Sequence, residues 1–121
     1  MNDAEKAPKA VGPYSQTVRS GGFIFCSGQI GIVPGSGEIV PGIEEQTHRV
    51  LRNLSLVLSE VGSKLDKVVK TTIYLANIED YARVNEIYAQ YFEKNKPARA
   101  TVGVNRLPKG VLVEIDAIAS E

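Results

Sequence analysis

Val111-Leu112-Val113-Glu114-Ile115-Asp116-Ala117-Ile118-Ala119 decides the fold, because it can be read in only one phase. Val111, Val113, Ile115, Ala117 and Ala119 make one purely apolar side of a strand. Leu112, Glu114, Asp116 and Ile118 make the other. The apolar side requires a covering layer, and two helical patterns upstream supply it. Residues 43–61 repeat apolar side chains at steps of three and four: Thr47, Val50, Leu51, Leu54, Val57, Leu58 and Val61. Gly62 is a fitting stop for that helix. A second helix is expected from a cap at Asn77 to Phe92 or Glu93, with Tyr81, Val84, Tyr88, Tyr91 and Phe92 as its buried stripe.

The remaining strands are shorter. Gly12-Pro13 reads as a turn feeding a strand toward Val18. Phe23–Ser27 is β-rich, Gly28 marks a bend or bulge, and Gln29–Val33 continues before a loop and Ile39-Val40. Residues 67–76 read as a strand rich in β-branched residues. Residues 100–104 are expected to pair with the final strand as a hairpin. Pro97 is expected to bias Lys96 toward extended geometry. The order β-β-β-α-β-α-β-β predicts an α+β fold, a single domain over residues 1–121, with a mixed six-stranded sheet and two helices on one face. Ala100, Val102 and Val104 suit the helix side. Arg99, Thr101 and Gly103 then share the other face with Glu114. That face also carries Leu112, Ile118 and part of the aromatic first hairpin, so a partner subunit is the expected cover.

Bulk properties exclude more than they identify. Fourteen basic and fourteen acidic residues balance, which gives no support for a nucleic-acid or anionic-membrane partner. No apolar run approaches membrane-spanning length, and the charged first residues show no secretory pattern. The lone Cys26 cannot form an internal disulfide, so a reducing, cytoplasmic location is expected. One histidine, one cysteine and scattered carboxylates match no metal-ligand spacing, and no glycine-rich phosphate loop occurs. Neither a metal nor a cofactor is expected.

Two residues carry the chemical signal. Arg99, just after Pro97, offers a planar fork that can grip a carboxylate with two parallel hydrogen bonds. Glu114 is an ionisable group in an apolar strand, where packing alone would not place it. Together they suggest chemistry on a small organic acid, one group as anchor and one as proton handler. Each has a plainer reading: a strand-end arginine in a surface salt bridge, and a glutamate serving as its structural partner. Asn85 lies on the flank of the second helix, as a boundary amide or as a site residue. Tyr14 is a packed aromatic or a placed hydroxyl. Ser27-Gly28 is a bulge or an anion contact.

Ala10-Val11-Gly12-Pro13-Tyr14-Ser15-Gln16, Ser27-Gly28-Gln29-Ile30, Pro97-Ala98-Arg99, Leu107-Pro108-Lys109 and Val113-Glu114-Ile115 together resemble the RidA/YjgF family of reactive-intermediate deaminases, over nearly the whole chain. The resemblance implies a chorismate-mutase-like fold and a homotrimer around a central barrel, with sites between subunits. It implies cofactor-free hydrolysis of 2-imino acids and their enamine tautomers to 2-keto acids and ammonia, a metabolite damage-control activity. Small 2-imino and 2-keto acids would then be its ligands. Arg99 matches the family's clamp arginine and Glu114 its acid/base glutamate. Tyr14, Ser27 and Asn85 match further site residues. Thr101 stands where many deaminating members carry a cysteine. The family also includes relatives credited with translation-inhibiting ribonuclease activity, and a non-catalytic acid-binding trimer is a further alternative.

Overall fold

The structure, a computed structural model, describes residues 5–121. Its strands are β1 (Thr17–Ser20), β2 (Phe23–Ile30), β3 (Val68–Leu75), β4 (Ala98–Gly103) and β5 (Val113–Ser120). Its helices are α1 (Gly42–Ser59) and α2 (Tyr81–Tyr91). The five strands form one mixed sheet in the order β1-β2-β5-β3-β4, with only the β3–β4 pair parallel.

Helix α1 forms where the apolar stripe is densest. Glu44 and Glu45 sit in its first turn, where carboxylates complement the helix dipole. It ends at Ser59, earlier than the expected Val61, and Gly62 reverses the chain at φ 79°. Val50, Leu51, Leu54 and Leu58 are fully buried against Ile24, Ile73, Val113 and Ile115. The expected apolar side of β5 is therefore the one the helices cover. Asn77 caps as expected: its side chain accepts from the Glu79 amide and opens a 3-10 turn, Ile78–Asp80, that leads into α2. From α2, Val84, Ile87, Tyr88 and the following Phe92 enter the core, whereas Tyr81 is 44% exposed.

Four expectations are corrected. The sheet has five strands, not six, because Ile39 makes only an isolated bridge to Ile32. The two closing strands are not a hairpin, since β3 lies between them. Arg99 and Thr101 face the helices, and Ala100 and Val102 face away. Arg99 is in register with Thr71, which is fully buried and hydrogen-bonded to the Tyr88 hydroxyl of α2 at 2.7 Å. Finally, Lys96 adopts φ 42°, left-handed rather than extended. Asn95 fixes that bend by donating to the carbonyls of Leu65 and Val68, at 3.0 and 2.9 Å.

The uncovered face carries Val18, Phe25, Ile118 and Val102, of which Val18 is 53% and Phe25 43% exposed. Among the described residues no helix is long and apolar enough to cross a membrane.

Asn53 joins α1 to the end of β2. Fully buried, it donates to the carbonyls of Ile30 and Ile32 and accepts from the Arg49 Nε. Asn53→Ala should leave the Ile32 carbonyl unpaired and the Ile30 carbonyl with only its bond from the Ile32 amide, lowering stability by about 1–3 kcal/mol. Urea denaturation at unchanged slope checks this.

Candidate functional site

The residues singled out from sequence form two groups on opposite sides of the sheet. Arg99 lies near the start of the edge strand β4, where Pro97 and the Lys96 bend deliver the chain beside α2. Its guanidinium lies over the Tyr88 ring at 4.9 Å from the centroid and over the Tyr81 ring at 5.6 Å. One Nη donates to the Tyr81 hydroxyl at 2.9 Å. Among the described residues it pairs with no carboxylate. The aromatic faces hold the plane by cation–π attraction and leave most of its donors unused. A cavity of about 510 Å³ opens there, lined by Arg99, Asn85, Tyr88, Phe92, Lys96 and Pro97. Asn85 is exposed at its rim. Thr101, two residues along β4, shares the Arg99 side; its Oγ1 is buried with no hydrogen-bond partner among the described residues. It does not line the cavity.

Glu114 sits on the uncovered face, in register with Tyr74 of β3 and Ile30 of β2. Between Cys26 and Gln29 the β2–β5 register slips, and this bulge contains Ser27 and Gly28. A Cβ at Gly28 would lie 2.0 Å from Glu114 Oε2, so only glycine allows the carboxylate to lie against the β2 backbone. A small cavity of about 100 Å³ surrounds it, with Tyr14, Gly28, Ile30, Pro108, Lys109 and Glu114 in its wall. Burial, and then the negative charge of Asp116, hold the Glu114 carboxyl above the usual carboxylate range. Ser27 is half-buried and spends its hydroxyl on the Ser15 carbonyl at 2.6 Å; it lines neither cavity. Tyr14 is half exposed, its hydroxyl 3.4 Å from the Val11 amide.

β3 separates β4 from β5, so Arg99 and Glu114 stand two strand spacings apart and also three residues apart along β3, roughly 14 Å in all, and they point to opposite faces. One small acid cannot touch both within one chain. The structure thus gathers Arg99 with Asn85, and Glu114 with Tyr14 and Gly28, but does not unite the two sets.

Sequence reasoning assigned Tyr81 and Tyr88 to packing and missed them as the platform under Arg99. An (i, i+7) aromatic pair beside a strand arginine was the available signal. It also missed Lys109, whose φ of 58° marks a strained residue beside Glu114. The sequence marked that lysine only as part of the Leu107-Pro108-Lys109 motif, without a site role. Cys26 is buried and its thiol is pushed up to about 11 by burial, in keeping with a small core residue and not a nucleophile. The His48 Nδ1 contacts the Tyr91 hydroxyl at 2.6 Å.

Gly28→Ala should expel the Glu114 carboxylate from its seat or distort the bulge. A displaced Glu114 side chain in a crystal structure of the variant, with a stability loss of about 1–3 kcal/mol, is the expected result.

The family profile described as endoribonuclease L-PSP matches residues 4–121. A RutC family protein of Pyrococcus abyssi is 55% identical over 95% of this chain and 91% of its own length. The human protein named 2-iminobutanoate/2-iminopropanoate deaminase is 50% identical over 94% of this chain and 84% of its own length. Among solved structures, YyfA of Yersinia pestis, from the conserved Rid protein family, superimposes with a TM-score of 0.92 at 49% identity, covering 98% of this chain and 96% of the other. The chain belongs to the endoribonuclease L-PSP family, which is the RidA/YjgF family.

Proposed function

We propose that the protein hydrolyses 2-imino acids such as 2-iminobutanoate and 2-iminopropanoate, with their enamine tautomers, to 2-keto acids and ammonia. The observation that carries this reading is Glu114 itself: a carboxylate seated on glycine in a desolvated niche, with its proton affinity raised, in a chain half identical to a protein named for that reaction. A carboxyl whose hold on a proton is strengthened by burial suits proton transfer.

Arg99 would hold the substrate carboxylate through its unused donors, with Asn85 at the rim adding a hydrogen bond and Thr101, the expected substrate contact, lying beside it outside the cavity. Glu114 takes a proton from water as the oxygen attacks C2 of the protonated imine, and the C=N electron pair moves to nitrogen to give a neutral carbinolamine. The carbinolamine collapses: Glu114 gives that proton to the amine, ammonia leaves, and the ionised Glu114 takes the hydroxyl proton as the keto group forms, then releases it to solvent. Tyr14 and the Gly28 amide would border the water and the leaving nitrogen. The imine is already electrophilic, so no cofactor is needed. A cytoplasmic setting, where such imines arise, fits this role.

The reading requires Arg99 of one subunit to meet Glu114 of another, because one chain separates them. We infer a homotrimer in which the apolar uncovered face is buried and three composite sites form. A second reading, an acid-binding regulatory trimer, is favoured by the Arg99 cavity, which has room for a ligand without Glu114.

The deciding assay couples a threonine dehydratase to the protein and measures ammonia and 2-ketobutyrate. Wild type should exceed the no-protein rate; equal rates would leave only the binding reading. Arg99→Lys should lose most activity while the oligomer survives, since lysine keeps the charge without the planar fork. Glu114→Gln should retain 2-ketobutyrate binding and slow hydrolysis about 10²–10⁴-fold.

Mixing tests the composite site directly. Unfolding Arg99→Lys and Glu114→Gln proteins together in equal amounts and refolding them should restore about a quarter of the wild-type activity, because that share of interfaces in a mixed ring joins two intact halves. No recovery from properly mixed oligomers would place both groups of each site in one chain.

A further inference from the structure

The uncovered face holds a second carboxylate that the reaction above does not use. Asp116 lies two residues beyond Glu114 on β5, so the two side chains project from the same face roughly 7 Å apart along the strand. Its register partner on β3 is Thr72, and on the β2 side it faces the bulge. One β3 step away, Tyr74 stands in register with Glu114, yet its hydroxyl is turned to donate to Asp116 Oδ2 at 3.0 Å. A tyrosine beside Glu114 thus ties down the neighbouring carboxylate and not Glu114. Burial and the bond to Asp116 hold the Tyr74 phenol above its ordinary range, so it remains a donor.

We propose that Asp116, fixed by Tyr74, is a positioning residue for Glu114: it holds one negative charge on the same face, one side-chain step along the strand from the reacting carboxyl. The inference rests on the hydrolytic reading of Glu114. Within its own chain the groups that face Glu114 are few. β2 contributes only the uncharged Gly28 and Ile30, β3 contributes Tyr74, and the flanking loops contribute Tyr14, Lys9 and Lys109. Among the described residues Asp116 is the one acidic side chain beside Glu114 on that face, and the burial of Glu114 acts in the same direction as Asp116. In the assembly inferred above, the Arg99 brought by a neighbouring subunit would oppose both. The balance suits a group that must take a proton from water and then give it back.

The sign of the effect is fixed. Glu114 must be ionised to act as base, so the rate rises with pH through its pKa. Removing the Asp116 charge makes Glu114 more acidic, and the acid limb should move to lower pH. For carboxylates at this separation near a protein surface the expected shift is about 0.5–1.5 pH units.

The test titrates Glu114 directly. Protein carrying carbon-13 at the glutamate side-chain carboxyls is followed by NMR across pH, with the Glu114 signal assigned by its loss in Glu114→Gln. Asp116→Asn should lower the Glu114 midpoint by that amount and shift the acid limb of kcat/KM for 2-iminobutanoate equally. Asp116→Glu, which restores the charge, should return both toward wild type. Should Asp116→Asn fail to fold, Asp116→Ser removes the charge while leaving Tyr74 a hydroxyl to bond. An unmoved midpoint in a folded, neutral variant overturns the proposal while the deaminase reading stands. A shifted midpoint in a protein that never accelerates imine loss overturns the deaminase reading, and the role given to Asp116 falls with it.

Discussion

The parallel pairing of β3 with β4 is the constraint on which the candidate site depends. Parallel neighbours need a crossover, and the segment from Leu75 to Ala98 supplies one containing α2. The crossover lays α2 over the same edge of the sheet that β4 forms. Its tyrosines then meet whatever β4 points inward. The register puts Arg99 beside Thr71, and Thr71 is already bound to Tyr88, so the guanidinium comes to rest on two aromatic rings. An antiparallel β4 next to β5 would have brought Arg99 to the strand of Glu114. The observed order removes it by a whole strand and a whole face.

The two charged groups are consequently held by different physics. Arg99 is oriented by ring faces, which attract a cation without consuming its hydrogen bonds. It remains a strong, always-charged donor array. Glu114 is held by the absence of a side chain: the bulge places Gly28 where any Cβ would collide with the carboxylate. Desolvation and Asp116 make its charge costly. One group is prepared to bind an anion and the other to move a proton. The difference follows from the surfaces they lie against, not from their own identities.

Much of this was legible in the sequence. The stripe of α1, the Gly62 stop, the Asn77 cap, the apolar side of β5 and the bend at Gly28 all appear as expected, because each is a local pattern with a local cause. The orientation of β4 was not legible. Its six residues, Ala-Arg-Ala-Thr-Val-Gly, place small or apolar residues at alternate positions, which reads as core. On this edge strand those positions face the uncovered side, and the polar ones are sheltered by α2 through rings and a buried hydroxyl. Choice of strand partner is a non-local decision, and the hairpin inferred from chain proximity lost to the crossover. Lys96 departs from its expected geometry for a similar reason: Asn95, anchored to two carbonyls across the fold, dictates the bend. Ile39-Val40 has strand propensity but finds only Ile32 to bridge.

The same geometry links assembly to chemistry in the trimer proposed. The face that most needs covering, with Val18, Phe25 and Val102 open to water, is the face that carries Glu114. Burying it removes apolar surface, which drives association. It also withdraws water from around the Glu114 niche, which strengthens every charge interaction there. β4 is an edge strand, and edge backbone groups invite a neighbour. An approach that brings the β4 edge of one subunit to the bulged β2 region of the next would carry Arg99 toward the Gly28 seat from outside. A chain alone would then bind acids weakly at one cavity and hold an idle carboxylate at the other. Catalysis would be a property of the contact, and the apolar face would serve stability and reaction at once.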